Sequence, residues 1–319
     1  MKRNELQSAP YILVKLAQLL GTEIKNRRLE IPKKFGNGYC AGFVFNEHIR
    51  LLISNYELNE DIAIKNPEID TSKRMIFFKF QNIFPRTGTL KTQKQPEAMP
   101  SVLIATSRIN TDDIISIHTN TATINIEVDA DYLNGLFDTP EKSSILQSLL
   151  QNTQPLLFEQ IIYPFLQRIV DEIVTEKIDE TFELFFLRIK AEELICRLLM
   201  ELSKRQEEHL YALNSCDIQT IYKVKEQILN HLGTPPVIKE LATFANMSPT
   251  KLKRLFKQIF GDSIFRYYQG FRMKEAARLL KEKQLSVSDV GYELGFTNLS
   301  HFSRVFKEHI GMKPKQYTK

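Results

Sequence analysis

The chain is poor in cysteine and has no clustered histidines, and each shortage excludes a kind of site. Its three cysteines, Cys40, Cys196 and Cys216, are odd in number, widely spaced and outside any Cys-x-x-Cys motif. This usage argues against a disulfide framework and is typical of a reducing compartment. His48 and His118 stand alone, so we expect surface or hydrogen-bonded residues rather than ligands. We therefore expect no metal site and no cofactor.

Long uncharged apolar runs are also missing. No stretch approaches the roughly 18 residues needed to cross a bilayer. The run from Tyr11 to Leu20 follows Lys2 and Arg3, as the core of a signal peptide would, but Lys15 interrupts it and no small-residue cleavage site follows. The run predicts an amphipathic helix, and we expect a cytoplasmic protein with no membrane partner.

The net charge of +5 is unevenly distributed along the 319 residues. Residues 217–319 carry 18 basic and 9 acidic side chains, net +9, whereas the preceding 216 residues carry 25 and 29, net −4. The length suggests two domains, each able to bury its own core. A basic excess confined to one third of the chain favours a polyanion as the partner of that third.

Alternating apolar residues predict a β-rich N-terminal region. Ile124, Ile126 and Val128 fall on one face of a segment whose intervening residues are polar, which is the period of a half-buried strand. Further candidate strands lie at 43–45, 49–53, 76–80, 102–104 and 115–117. Short strands with no helical pattern between them predict an antiparallel sandwich or barrel.

After about residue 139 the period becomes helical. One helix is predicted to begin at Pro155, with Pro164 kinking or breaking it. A second, from 180 to 204, has a wide apolar face, for which two interpretations stay open: packing against the strand domain, or a coiled-coil-like dimer interface. The predicted organisation is a β-rich regulatory and dimerisation domain over 1–205, a linker over 206–216 and a helical domain over 217–319.

Seven helices are predicted in the C-terminal third. The first is capped by Asp217 and ends at Gly233. The others lie near 237–245, 249–260, 263–282, 287–294, 298–309 and 314–317. Within them one pattern occurs twice, at 237–261 and 287–311, and each copy reads as helix, tight turn and second helix.

The turns of the two copies match. Each first helix ends at a residue type that adopts the left-handed conformation, Asn246 in one copy and Gly295 in the other. Four residues earlier, Ala242 and Gly291 are small enough for the second helix to cross closely over the first. The predicted N-caps of the second helices are Ser248 and Thr297.

Each second helix combines an apolar inner face with a polar outer face. The predicted inner residues are Leu252, Leu255, Phe256 and Ile259 in the first copy, and Phe302, Val305 and Phe306 in the second. The residues predicted to contact DNA are Thr250, Lys253, Arg254, Lys257, Asn298, Leu299, Ser300, Ser303, Arg304 and Lys307. A recognition helix lies in the major groove, where Arg254 and Arg304 could each bind a guanine in a two-pronged contact. Lys257 and Lys307, toward the far ends, suit phosphate contacts.

The helix predicted over 263–282 would connect the two copies. Twenty helical residues span roughly 30 Å, close to the roughly 34 Å of one DNA turn. Such a helix could present both recognition helices to successive major grooves. Its apolar residues, predicted to pack on both copies, are Ile264, Tyr267, Phe271, Ala276, Ala277 and Leu280. Its basic residues, predicted to face solvent, acidic neighbours or phosphate, are Arg272, Lys274, Arg278, Lys281 and Lys283.

With these residues, 218–319 resembles the DNA-binding domain of the AraC/XylS family of bacterial transcription regulators. The motif residues are Leu241, Ala242, Ser248, Leu252, Arg254, Phe256, Lys257, Gly261, Arg272, Met273, Ala276, Leu279, Leu280, Val290, Gly291, Gly295, Phe296, Ser300, His301, Phe302, Arg304, Phe306, Lys307, Gly311, Pro314 and Tyr317. The family's fold is two helix-turn-helix subdomains joined by a long helix. Carried over by position, base or groove contacts fall on Thr250, Lys253, Arg254, Leu299, Ser300, Ser303 and Arg304. Leu299 departs from the pattern, because a polar reader is common there; it could meet a thymine methyl group or read nothing.

The resemblance implies a sequence-specific transcription regulator of α+β class. Its partners would be double-stranded promoter DNA and RNA polymerase. Family members often carry a β-rich, cupin-like N-terminal domain that senses a small molecule and supports dimerisation, so we expect an effector and a homodimer through the N-terminal domain and helix 180–204. No effector-binding residue is assigned: a pocket lined by Phe43, Phe45 or Tyr56 and ordinary core packing both stay open.

Two other interpretations stay open beside this one. One is a DNA-targeted repair or modifying enzyme, for which Cys40 is the lone candidate nucleophile, without an obvious paired base. No catalytic motif supports it, so we do not predict an enzyme. The other is a structural dimer whose N-terminal domain binds nothing.

The two copies are predicted to read different sequences. The first presents Lys253 and Arg254 side by side and should favour guanine-rich steps. The second, one residue longer between Thr297 and Phe306, presents Arg304 among hydroxyls and Leu299. We therefore predict an asymmetric, direct-oriented site for one protomer rather than a palindrome.

Overall fold

The structure is a computed structural model in which the chain forms two compact units. It describes residues 9–60, 62–65, 74–84, 99–107, 114–117, 120–137, 143–205, 209–282 and 285–318. The described residues up to Asn214 form the first unit, and those from Ser215 onward form the second. His118 and Lys283 lie outside the described residues. Among the helices that are described, none has the length and apolarity of a membrane span.

The first unit is built on antiparallel strands. Its described strands are β1 (Arg28–Glu30), β2 (Gly36–Val44), β3 (Ile49–Leu58), β4 (Ile62–Lys65), β5 (Met75–Gln81), β6 (Ser101–Thr106), β7 (Ile114–Ile117), β8 (Asn120–Asp129) and β9 (Leu157–Ile161). Seven of them form one sheet in the order β1-β2-β3-β8-β5-β6-β9, and β4 pairs with β7. All of these pairings are antiparallel.

Helices cover both faces of the seven-stranded sheet. They are α1 (Tyr11–Leu20), α2 (Ala130–Gly135), α3 (Ser144–Gln151), α4 (Pro164–Thr175) and α5 (Glu180–Ser203). Ile53, Ile124 and Phe80 stand side by side on β3, β8 and β5 and belong to the main core, which includes residues of α2 to α5. Because strand side chains alternate between faces, Cys40 and Tyr56 point the other way and pack with α1. The α+β class is confirmed, as are the predicted first helix and the buried stripe of β8.

The prediction of a helix from Pro155 is wrong for the first half of that segment. Residues Leu157–Ile161 form β9, which pairs with β6 and buries Phe158 completely. A short apolar run has no period that separates an edge strand from a buried helix. Pro164 does end the preceding segment, but it begins α4 at a first-turn position, where its missing N–H costs no hydrogen bond.

Helix α5 packs against the sheet unit, as the first of the two interpretations held. Leu187, Leu194 and Leu198 on its inner face belong to the main core. Asp179 caps the helix by accepting a hydrogen bond from the Thr181 amide at 2.9 Å. Burial of this face within one chain does not by itself test the dimer interpretation of the same helix.

The second unit contains seven described helices. They are α6 (Ser215–Asn230), α7 (Ile238–Phe244), α8 (Pro249–Phe260), α9 (Ile264–Glu282), α10 (Val287–Glu293), α11 (Leu299–Ile310) and α12 (Pro314–Tyr317). The number and order agree with the prediction. The expected Asp217 cap is wrong, because α6 begins two residues earlier and Asp217 lies in its first turn. There its carboxylate accepts a hydrogen bond from Lys251 Nζ at 2.8 Å.

Candidate nucleic-acid interface

The first helix-turn-helix is formed by α7 and α8. Asn246 occupies the left-handed region with φ +50° between the two helices. Ser248 caps α8, since its hydroxyl accepts a hydrogen bond from the Lys251 amide at 3.2 Å. Pro249 follows at the first helical position, and Gly261 ends the helix with φ +76°. The local sequence therefore fixes both ends of this recognition helix.

The second helix-turn-helix, α10 and α11, has a different cap from the one predicted. Asn298, not Thr297, caps α11, because its side-chain oxygen accepts a hydrogen bond from the His301 amide at 3.0 Å. Asn and Thr are both good capping residues, so residue type does not separate Asn298 from its neighbour Thr297. With Asn298 as its N-cap, α11 begins at Leu299. At its other end, Gly311 with φ +89° terminates the helix.

This cap also corrects the predicted difference in length. α8 and α11 each contain 12 residues, and their caps, Ser248 and Asn298, lie 50 residues apart. The preceding helices α7 and α10 begin 49 residues apart, at Ile238 and Val287. The extra residue of the second copy therefore lies in its turn and not in its recognition helix, so the outer faces of the two recognition helices are equivalent position by position.

Most of the predicted contact residues are exposed. Each recognition helix buries the predicted inner residues, with Leu252, Phe256, Phe302 and Phe306 fully inaccessible. The exposed outer residues are Thr250, Lys253, Arg254, Lys257, Asn298, Ser300, Arg304 and Lys307. Pairs such as Thr250 and Ser300, or Arg254 and Arg304, occupy the same helical positions. The second unit thus carries two polar surfaces that present two arginines and three lysines.

Leu299 and Ser303 are half-buried instead. A side chain at Gly291 would come within 2.7 Å of Leu299 Cδ2, so the leucine lies against the bare backbone of α10. This contact supports the predicted close crossing of the two helices. It also gives Leu299 a packing role, which removes part of its surface from any ligand.

The connecting helix α9 packs on both motifs. Its 19 residues span about 28 Å. Tyr267, toward its start, contacts Phe256 and Phe260 of the first motif at 5.3 and 5.1 Å between ring centroids. Met273, Ala276 and Leu280, further along, belong to one buried cluster with Val290, Phe302 and Phe306 of the second motif. The predicted packing of this helix on both motifs is confirmed.

Arg272 corrects the prediction for the basic residues of α9. It is 5% exposed, and its Nε donates a hydrogen bond to the Leu294 carbonyl at 2.8 Å while Nη2 donates to the same oxygen. The guanidinium also lies 3.7 Å from the ring centroid of Phe296. Burial lowers its pKa, and neighbouring Tyr268 opposes that shift. Arg272 therefore holds the turn of the second motif against α9 and does not face DNA or solvent.

The sequence did contain a signal for this role. Tyr268 and Ala276, four residues before and after Arg272, are both buried, so Arg272 falls on the apolar stripe of α9. The other basic residues are less buried: Arg278 forms an ion pair with Glu275 at 2.6 Å, and Lys274 is half-buried with a pKa lowered by desolvation.

Cys40 has none of the properties of a nucleophile. Its thiol is 1% exposed on the α1 side of the sheet, and Sγ lies 3.4 Å from Ser54 Oγ. Burial raises its pKa to about 11, with the Ser54 hydrogen bond opposing the shift. A reactive cysteine needs the opposite change, so this residue gives no support to the enzyme interpretation.

His48 stacks on Tyr132, with 4.9 Å between ring centroids.

Comparisons with known proteins agree with this geometry. A helix-turn-helix domain family matches residues 241–319. The HTH-type transcriptional regulator GbdR of Pseudomonas aeruginosa is 32% identical over 108 residues, covering 34% of this chain and 29% of that protein. The probable transcription factor PqrA of Proteus vulgaris is 32% identical over 80 residues, covering 25% of this chain and 66% of that protein.

Solved structures are also similar to part of the chain. One is the DNA-binding domain of AdpA in complex with a target DNA, at 26% identity and a TM-score of 0.30, covering 31% of this chain and 89% of that chain. The chain spans less than a third of the length of the GbdR relative. The matched family, the named relatives and the paired motifs agree that the C-terminal domain is a helix-turn-helix domain similar to that of AraC/XylS-type transcription regulators.

Proposed function

We propose that the chain is a transcription regulator that reads two successive major grooves of promoter DNA with α8 and α11. The observation that carries the proposal is the pair of equivalent, exposed polar faces on one connecting helix of about 28 Å. That length approaches the roughly 34 Å between successive major grooves on one side of the duplex. RNA polymerase is the protein partner that such a regulator would require.

Individual roles follow from position and chemistry. Arg254 and Arg304 are proposed to bind guanine through two parallel hydrogen bonds, and Lys253 to add one donor. Thr250, Ser300, Ser303 and the exposed edge of Leu299 complete the groove contacts, with Asn298 at the helix start. Lys257 and Lys307, one turn further on, are proposed to contact phosphates, which position the helix without reading sequence.

The test begins with selection of bound sequences from a random duplex library by the full chain. Arg254→Ala and Arg304→Ala should each weaken binding to the selected site by about 1–3 kcal/mol and leave binding to random DNA nearly unchanged. Lys307→Ala should weaken both and reduce the salt dependence of log K by about one counterion. Lys223→Ala, an exposed lysine of α6, is the matched control. Equal losses on selected and random DNA in the arginine variants would falsify the assigned roles.

We also propose that the first unit forms a homodimer through the outer face of α5. Phe182, Phe185, Ile189 and Met200 are 45–68% exposed, and with exposed Cys196 they recur at helical spacing opposite the buried stripe. An exposed apolar stripe along a 24-residue helix is the geometry of helix-to-helix association. A β-rich unit beside such a helix also suits the sensing of a small-molecule effector, which we propose for this unit.

The dimer has a direct test. Phe185→Glu places a charge on the outer stripe without touching the core, so the variant should sediment as a monomer at concentrations where the parent chain is a dimer. Arg197→Gln, which changes the charge by the same single unit at an exposed position beside the stripe, is the matched charge control. A parent chain that is monomeric at high micromolar concentration, or a Phe185→Glu variant that remains dimeric, would contradict this interface.

A further inference from the structure

Charged and polar side chains form a patch on the sheet face that α1 only partly covers. The strand register places Arg50, Glu127 and Phe77 side by side across β3, β8 and β5. The next row on the same face contains Leu52, Asn125 and Lys79. In the same stretch, the opposite face of these strands carries Leu51, Ile126 and Phe78, which belong to the main core.

A cleft opens over this patch. It has a volume of about 60 Å³ and lies between the start of α1 and strands β3 and β8. Its lining includes Pro10, Tyr11, Arg50, Leu52, Asn125 and Glu127. Since one water molecule needs roughly 10–15 Å³, the cleft has room for a group of roughly four to six non-hydrogen atoms.

Gly42 fixes one wall of the cleft. A side chain there would come within 2.6 Å of Pro10 Cδ and 3.0 Å of Leu13 Cδ2. The glycine, which pairs with Leu52 across the strands, therefore allows the first turn of α1 to rest on the sheet. The cleft is built into the fold, and it has an apolar rim in Tyr11 and Leu52 beside a polar floor.

The floor carries charges of both signs that are incompletely matched. Arg50 Nη1 lies 3.7 Å from a Glu127 carboxylate oxygen, longer than a direct charged hydrogen bond of about 2.7–2.9 Å. Both side chains are about one-third exposed, so each keeps hydrogen-bonding capacity toward the cleft. Lys79 pairs with Asn125 in the next row and is therefore a diagonal neighbour of Glu127, a relation that separates residues by roughly 7–8 Å.

The ionisation of these groups agrees with an enclosed setting. Burial raises the pKa of Glu127, and Arg50 opposes that shift. Burial lowers the pKa of Lys79, and no carboxylate of the described residues offsets it. Both groups nevertheless retain contact with solvent. Glu127 lines the cleft, whereas Lys79 is an exposed neighbour of it.

We propose that this cleft binds a small zwitterion carrying an ammonium and a carboxylate a few ångströms apart, such as the head group of an α-amino acid. The Glu127 carboxylate would accept hydrogen bonds from the ammonium. The Arg50 guanidinium would donate a pair of hydrogen bonds to the carboxylate, with Lys79 adding long-range attraction. The Asn125 amide is a further partner, and the volume fits the five or six atoms of such a head group. This inference rests on the proposed sensing role of the first unit.

The test uses the full chain and four probes of similar size: alanine, ethylamine, propionate and glycerol. Alanine at about 10 mM should raise the unfolding midpoint of the first unit, whereas the amine, the acid and the neutral polyol should raise it much less, because each lacks one or both charges. A panel of other amino acids then identifies the preferred side chain. An equal response to glycerol, or no response to any amino acid, overturns the assigned ligand class.

Variants test the assigned residues. Glu127→Gln and Arg50→Gln should each weaken amino-acid binding by about tenfold or more. Gly42→Ala should weaken it by displacing the wall. Glu57→Gln, on exposed β3 surface away from the cleft, is the matched control and should leave binding unchanged. Unaltered affinity in Glu127→Gln overturns the site.

Sequence-specific DNA binding is measured on the same samples without ligand. If the parent chain does not bind DNA in a sequence-specific way, the proposed regulator function is refuted. Normal DNA binding together with no amino-acid response would refute only the cleft.

Discussion

The two helix-turn-helix motifs have the same shape but achieve it with different chemistry. The first begins its recognition helix with Ser248 and Pro249, and the second begins it with Asn298 and Leu299. The second turn is one residue longer, and its carbonyl at Leu294 is bound by Arg272. The outer faces of α8 and α11 therefore match in position although the turns that precede them differ in length, and in the longer turn Arg272 binds a backbone carbonyl.

The outer faces differ in charge while matching in position. Lys253 in α8 has Ser303 as its counterpart in α11, so the first motif carries one more cation near its reading end. Pro249 corresponds to Leu299, which packs on Gly291. The predicted asymmetry of the site therefore rests on side-chain identity and not on helix length.

The largest expected effect is a loss of stability on substitution of Arg272, which should affect the second motif and not the first. Arg272→Ala leaves a buried carbonyl without its donors and removes the contact with Phe296, so we expect a loss of about 2–4 kcal/mol confined to the second motif. Amide hydrogen exchange should accelerate in α10 and α11 much more than in α8. Arg278→Ala, an ion-paired arginine on the same helix, serves as the control. Equal acceleration in both motifs would argue against a role for Arg272 in the second turn.

The caps provide the next test of equivalence. Ser248→Ala and Asn298→Ala should each lower the free energy of unfolding by about 1 kcal/mol, because each leaves an amide of the first helical turn unpaired. Thr297→Ala should cost less than about 0.5 kcal/mol. Urea denaturation followed by circular dichroism measures the difference. A larger loss for Thr297→Ala than for Asn298→Ala would restore the cap expected from sequence.

The smallest expected effect concerns Lys251, which pairs with Asp217 only in the first motif. The lysine side chain is 40% exposed, so solvent screens the pair and Lys251→Met should cost well under 1 kcal/mol. The loss should disappear at about 1 M salt. His301→Met at the equivalent position of α11 provides the comparison. A salt-independent loss in Lys251→Met would show that packing, and not charge, stabilises this contact.

Local sequence patterns predicted the elements that depend on local physics. The 3.6-residue period of Leu252, Leu255 and Phe256 and the αL preference of Asn246 and Gly295 were sufficient to place α8 and both turns. The strict alternation in β8 was sufficient for a strand. These signals act over a few residues, so they can be read without knowing what packs on them.

Other features were decided by contacts between distant segments. Whether Leu157–Ile161 is a strand depends on its pairing with β6, some fifty residues earlier in the chain. The choice of Asn298 over Thr297 as a cap depends on where the turn places α11. The Arg50–Glu127 cleft exists only because β3 and β8 are neighbours in the sheet.

The sequence by itself determined that this protein carries two recognition helices with basic outer faces, because helical period, turn residues and charge are local properties. Only the tertiary structure decided that the two helices are of equal length, that Arg272 is buried beneath the second turn, and that Arg50 and Glu127 share a cleft. In each case the physical reason is the same: the free energy of a cap, a buried cation or a paired charge depends on neighbours that the fold brings together.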